Sequence, residues 1–153
     1  MSRALHRLVD FWWVWAQGFP IVDLELAGTV ERANDVVRGV DPSVIRTTIL
    51  WDFLFILFYA PALFLGSLWA RRQFVGEPGR KAGTVIAAGG LAAGVLDMIE
   101  NVAMLGYLDG RTAWIPLSAA MAIPKFLLAF VAIVYIVVGI VLAIGRRVRR
   151  DAR

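Results

Sequence analysis

The sequence contains no cysteine and a single histidine, His6, and only 18% of its residues are charged. Without cysteine, the chain can form no disulfide, no thiolate nucleophile and no thiolate-ligated metal centre. With one histidine, in the N-terminal tail, a Ser-His-Asp triad and a histidine-rich metal site are not expected either. The charged fraction lies well below the ~25% of soluble proteins and argues against a typical soluble enzyme.

Apolar residues, by contrast, are abundant: 59% of the 153 residues are hydrophobic, and the mean hydropathy is +0.70. A transmembrane helix needs ~20 mostly apolar residues. Four stretches meet this requirement, at residues 4–27, 44–70, 82–108 and 113–145. The sequence therefore predicts an all-α, polytopic membrane protein, a four-transmembrane-helix bundle formed by a single domain of residues 1–153.

The first and fourth spans are irregular. Glycine, proline and acidic residues interrupt the far half of the first span (Gly18, Pro20, Asp23 and Glu25). A site after Ala27 lacks the small-residue pattern of signal-peptide cleavage, so we expect a retained span. In the fourth span, Pro116 and Pro124 argue against a single straight helix. Pro124 suits a first-turn position, and the segment 113–123 before it is expected to be kinked or partly re-entrant.

The basic residues predict an orientation. Eleven of the sixteen Lys and Arg residues lie in the N-terminal tail, in the loop between spans two and three, and in the C-terminal tail. Because basic residues accumulate in cytoplasmic loops, we predict that both termini are cytoplasmic, and the short loops suit a bacterial inner membrane. We expect these clusters to contact anionic membrane lipids and not nucleic acid.

The connection between spans one and two predicts a short amphipathic helix on the outer surface. Thr29 is suited to cap it, and apolar residues between Val30 and Val40 alternate with charged ones at helical spacing. Asp41 and Pro42 then form a cap and a first-turn proline for span two. Both a plain connector and a lid over the outer ends of the helices fit this pattern.

Span three is rich in small residues, and Gly90 and Gly94 have the G-x-x-x-G spacing that lets helix backbones approach closely. This span is predicted to be the central helix. The spacing fits packing within one chain and also a homodimer.

Charged residues inside the spans are the most informative feature. Asp97, Glu100 and Asn101 share one face of span three, while Asp52 lies on span two and Lys125 on span four. Each charge near the middle of a membrane helix costs ~2.5–3.5 kcal/mol, so four isolated charges would cost on the order of 10 kcal/mol. They must be paired, protonated or hydrated, and at least one carboxyl is expected to keep its proton.

We therefore predict one polar cluster in the outer half of the membrane. Its expected catalytic residues are Asp52, Asp97 and Glu100. The expected substrate-binding residues are Tyr59, Asn101, Met104, Lys125 and Glu25. Lys125 could equally be a counter-ion. Apolar walls would come from neighbouring aromatic and methionine side chains (Phe53, Phe55, Phe58 and Met98), which fit ordinary packing as well. No cofactor is predicted; a divalent ion held by the three carboxylates is a minor variant.

Three functions fit such a cluster. The first is acid–base chemistry, as in an isomerase, a cyclase or a hydrolase, on a small amphiphile such as a lipid, an isoprenoid or a quinone-like molecule. The second is proton-coupled transport, although no inverted repeat is visible. The third is a non-catalytic subunit or assembly factor of a membrane complex, in which the polar groups fix a partner helix.

Three short motifs run through the chain: Glu25-Leu26-Ala27-Gly28, then W-D-F-L-F at 51–55, then L-D-M-I-E-N at 96–101. In these motifs the chain resembles small four-span bacterial membrane proteins. The resemblance covers most of the chain. It implies a four-helix fold and no particular activity.

Overall fold

The computed structural model describes residues 21–151, and within these residues it is helical and contains no strand. The helices are α1 (Ile21–Glu25), α2 (Val30–Val37), α3 (Pro42–Ala70), α4 (Glu77–Leu108) and α5 (Ile115–Asp151), with single 3₁₀ turns at Arg71–Gln73 and Thr112–Trp114. The all-α prediction is thereby confirmed. Most of the predicted first span, 4–27, lies outside the described residues, so a fourth span stays a prediction.

Within residues 21–151, three helical segments are long and apolar enough to cross a membrane: Pro42–Gln73, Glu77–Leu108 and Thr112–Arg149, of 32, 32 and 38 residues. A helix rises 1.5 Å per residue, so each exceeds the ~30 Å of a hydrocarbon core. Their length and composition indicate a membrane protein.

The predicted first-turn position of Pro124 is wrong. α5 continues from Ile115 to Asp151 with Pro124 inside it, and α3 likewise contains Pro61. A proline withholds only one backbone N–H from the helical ladder, and membrane helices tolerate this when neighbouring groups satisfy the carbonyl that is left open. The helix therefore continues through Pro124, from the segment before it into the long apolar run that follows.

The described residues form two compact units. Unit 1 comprises residues 21–55 and 98–123, and unit 2 comprises residues 56–97 and 124–151. Each of the three long helices contributes one part to unit 1 and one to unit 2.

Unit 1 has an apolar core built from α1 to α5, with Leu24, Ala33, Ile45, Ile49 and Met104 among its buried members. The helix predicted after Thr29 exists as α2, and Thr29 Oγ1 accepts the backbone N–H of Arg32 at 3.4 Å. Its apolar stripe packs against this core. Contacts with the core of unit 1 therefore hold the amphipathic helix α2 in place.

Polar contacts hold the ends of the unit 1 helices. The Tyr107 hydroxyl donates to Asn34 Oδ1 at 2.6 Å and so ties α2 to α4. The Asp41 carboxylate accepts the Ser43 backbone N–H at 2.8 Å, and this hydrogen bond lowers the pKa of Asp41 below its usual range. Gly110, with a φ of +88°, ends α4 in the left-handed conformation that favours glycine.

In unit 2, the small residues of α4 allow close contact with α3. A Cβ atom on Gly94 would lie 2.5 Å from Cβ of Ala60, and one on Gly90 would lie 2.9 Å from Cβ of Leu63. Real Cβ atoms do not approach so closely. The Gly90 and Gly94 face is therefore occupied by packing within the chain.

We predict that Gly94→Ala lowers the free energy of unfolding by about 1–3 kcal/mol, because the added methyl overpacks the contact with Ala60. Gly145→Ala is the matched control, since a Cβ at Gly145 meets nothing within 4 Å. The control should gain up to about 1 kcal/mol, the difference in helix propensity between alanine and glycine. Thermal unfolding in detergent measures both. Equal stability of the two variants would contradict the packing described here.

Candidate functional site

Three ionisable or hydroxyl-bearing side chains meet in unit 2, one from each long helix. Lys125 Nζ on α5 donates to Asp97 Oδ1 on α4 at 2.6 Å. The Tyr59 hydroxyl on α3 donates to the other carboxylate oxygen, Asp97 Oδ2, at 2.7 Å. Both oxygens of one carboxylate are thus engaged, and we call these three residues the Asp97 triad.

The triad is buried but not sealed. Asp97 and Lys125 are 5% and 4% exposed, whereas Tyr59 is half-buried. The ammonium group of Lys125 also lies 4.8 Å from the centre of the Phe126 ring, whose π face attracts cations. Tyr59 is therefore the member of the triad that a molecule from outside would meet first.

Close backbone packing brings the triad together. Gly94 lies one helical turn before Asp97, and Ala60 follows Tyr59 directly. The contact between Gly94 and Ala60 therefore places the Tyr59 hydroxyl within hydrogen-bonding distance of the Asp97 carboxylate. The buried positions of α4 recur at helical spacing, and Asp97 occupies one of them.

A second polar pair lies in unit 1. Asn101 Nδ2 donates to Asp52 Oδ2 at 2.7 Å. Asn101 is fully buried and Asp52 is half-buried. The other amide atom of this side chain, Asn101 Oδ1, is buried and has no hydrogen-bond partner among residues 21–149.

Hydrogen bonds join five of the predicted site residues. Asp97, Tyr59 and Lys125 meet in unit 2, and Asp52 and Asn101 meet in unit 1. The remaining predicted site residues also belong to unit 1, where all three are buried (Glu25, Glu100 and Met104). Met104 is part of the apolar core of that unit. In the Asp97 triad, Lys125 is the counter-ion, which was one of its two predicted roles.

The predicted apolar wall is not enclosed. Phe55, Phe58 and Met98 are exposed, Phe58 to 67%, and Phe53 packs against the core of unit 1. The inward positions of α3 in unit 2 hold smaller side chains, such as Ala60, because α4 comes so close. The large aromatic rings therefore point away from the helix contacts.

The divalent-ion variant has no support in the structure. Among residues 21–151, no three His, Cys, Asp or Glu side chains are grouped in a way that could hold a metal ion. Phe126 is the site residue that the sequence reasoning missed. Its position directly after a lysine inside an apolar span was the available signal.

No family model matches the sequence, and neither a curated protein nor a solved structure is similar to it. The chemistry of the site is therefore inferred from its own contacts.

We predict that the ion pair behaves as one energetic unit. Asp97→Asn or Lys125→Met alone should lower the free energy of unfolding by about 3–5 kcal/mol, because each removes one side of a buried ion pair. The double variant should lose less than the sum of the two, by about 0.5–3 kcal/mol. Chemical unfolding in mild detergent measures this double-mutant cycle. Strict additivity would show that the two side chains do not interact.

Proposed function

We propose that this protein is a multi-pass membrane protein that binds a small amphiphile, such as a lipid, an isoprenoid or a quinone-like molecule, at the Asp97 triad and exchanges a proton with it. An isomerase or cyclase would do such acid–base chemistry. One observation supports this proposal above all: a carboxylate, an ammonium group and a phenol touch one another inside helices apolar enough to span a membrane.

The three side chains have complementary roles in the proposal. Asp97 takes up the proton from the ligand and becomes neutral, and the positive charge of Lys125 beside it then offsets the negative charge left on the ligand. Tyr59 orients the carboxylate and presents its half-buried hydroxyl oxygen to a polar group of the ligand. The carboxyl groups of Asp52 and Glu100 belong to unit 1.

Energetics favour a functional role over simple stabilisation. A buried ion pair is often no more stabilising than apolar residues of the same volume, because both charges must first be removed from water. In a membrane, ionisable residues are rare and usually mark binding sites or proton pathways. A triad kept only for packing could be replaced by apolar side chains.

One observation favours a second candidate, the non-catalytic subunit. Both Asp97 oxygens are already bound by side chains of the same chain, and the triad joins α3, α4 and α5. Such a contact can fix helices so that their outer faces fit a partner in a membrane complex.

The charge distribution supports a location in a bacterial inner membrane with both termini inside. Arg72, Arg80 and Lys81 are exposed between α3 and α4, and Arg147 and Arg149 are exposed near the end of α5. The positive-inside rule assigns these segments to the cytoplasm.

Native mass spectrometry of detergent-purified protein tests the site. We expect wild type to carry a defined small molecule that Tyr59→Phe and Asp97→Asn lose or carry in altered form. Tyr135→Phe is the matched control, because it removes a hydroxyl of unit 2 that donates to the Gly79 carbonyl at 2.8 Å, outside the triad. The control should retain the molecule.

Cells that produce these variants distinguish acid–base chemistry from the subunit role. An altered cellular lipid or isoprenoid profile in the Asp97→Asn strain supports acid–base chemistry. Two results would replace acid–base chemistry with the subunit role. In one, all variants carry the same molecules as wild type. In the other, wild type carries no small molecule and copurifies with one stoichiometric membrane partner.

The lack of cysteine makes the orientation easy to measure. We predict that Glu31→Cys in α2 reacts with a membrane-impermeant thiol reagent applied from outside, and that Val75→Cys between α3 and α4 reacts only after the membrane is opened. Both positions are exposed. Wild type supplies the unlabelled control. The reverse pattern would place the termini outside.

A further inference from the structure

We propose that unit 2 carries a binding site for the phosphate headgroup of an anionic phospholipid, formed where the connection between α3 and α4 meets the end of α5. Its basic side chains are Arg71, Arg72, Arg80, Lys81, Arg146 and Arg147, which we call the basic cluster. The inference rests on the chain being a membrane protein. It does not depend on the role of the Asp97 triad.

Contacts within unit 2 order the segments that carry the basic cluster. The guanidinium group of Arg146 donates to the Gln73 carbonyl at 2.5 Å, and that of Arg71 donates to Thr84 Oγ1 at 2.7 Å. Tyr135 donates to the Gly79 carbonyl, and its ring stacks on Phe74 with the ring centres 4.8 Å apart. The connection is therefore tied both to α4 and to α5, and the guanidinium groups of Arg71 and Arg146 are held in place before any ligand arrives.

The charges of the cluster are poorly balanced. Between residues 71 and 84 and between 146 and 149, Glu77 is the one acidic residue, and it pairs with Lys81 at 2.8 Å. Arg71 and Arg146 donate to the neutral oxygens of Thr84 and Gln73, so these guanidinium groups keep their positive charge and have further N–H donors. Anionic phosphate oxygens match such donors, because a guanidinium group can bind them with two parallel hydrogen bonds.

Apolar side chains beside the cluster favour a lipid over free phosphate or nucleic acid. Val75 is 91% exposed, Val148 is 63% exposed, and Trp69 is 42% exposed just before Arg71. Tryptophan settles at the level of lipid headgroups, and basic clusters next to membrane helices bind anionic headgroups there. A surface that mixes exposed valine and tryptophan with arginine suits the boundary between headgroups and acyl chains.

The test compares lipid retention by native mass spectrometry after incubation with phosphatidylglycerol or phosphatidylcholine of identical acyl chains. The main variant is Arg72→Gln with Arg147→Gln, at two exposed positions of the cluster. Arg72→Lys with Arg147→Lys keeps the charges. Arg32→Gln with Arg38→Gln is the matched control, because it removes two exposed charges from unit 1.

We expect wild type to prefer phosphatidylglycerol. Near an anionic surface one basic side chain contributes about a fivefold gain in affinity, so the double glutamine variant in the cluster should lose about 25-fold of the preference. The lysine variant and the unit 1 control should keep most of it. This result would support the site even if the glutamine variant were less stable, because the lysine variant tests charge separately.

Three results would overturn the proposal. The first is equal retention of the two lipids by wild type. The second is an equal loss of preference in the cluster variant and the unit 1 control. The third is that an excess of inorganic phosphate displaces phosphatidylglycerol and raises the Tm as much as the lipid does. This result would show a site for free phosphate.

Discussion

The free energy of placing a charge in an apolar medium governs this structure. A single carboxylate in the middle of a membrane helix costs ~2.5–3.5 kcal/mol, so Asp97 needs partners within reach. It finds them on both neighbouring helices, Lys125 on one oxygen and Tyr59 on the other. The positions of α3, α4 and α5 in unit 2 are those that allow both contacts at once.

Small residues make these contacts possible. Leu63 and Ala60 of α3 occupy the space that side chains at Gly90 and Gly94 would need. Polar contacts alone hold membrane helices together weakly, because the same polar groups also find hydrogen-bond partners when the helices are separated. The glycine contacts add dispersion forces and fix the distance at which the polar groups meet, so packing and site geometry depend on the same turn of α4.

Much of the fold could be predicted from the sequence, but less of the site. Apolar run lengths predicted α3, α4 and α5, and the capping residues Thr29 and Asp41 predicted the starts of α2 and α3, because these signals are local. Pro124 misled, since one missing N–H does not outweigh a long apolar run. The choice of partners was not predictable: helical spacing put Asp97, Glu100 and Asn101 on one face, yet pairing depends on which neighbouring helix lies opposite each residue.

The order of synthesis gives the Asp97 triad a further consequence. Lys125 lies 28 residues after Asp97, so the ribosome makes α4 before the ammonium group that α4 needs. When α4 has been synthesised, Tyr59 is already present and Lys125 is not. The ion pair can therefore form only after α5 has been made, so the final contacts of α4 depend on a side chain that is synthesised later.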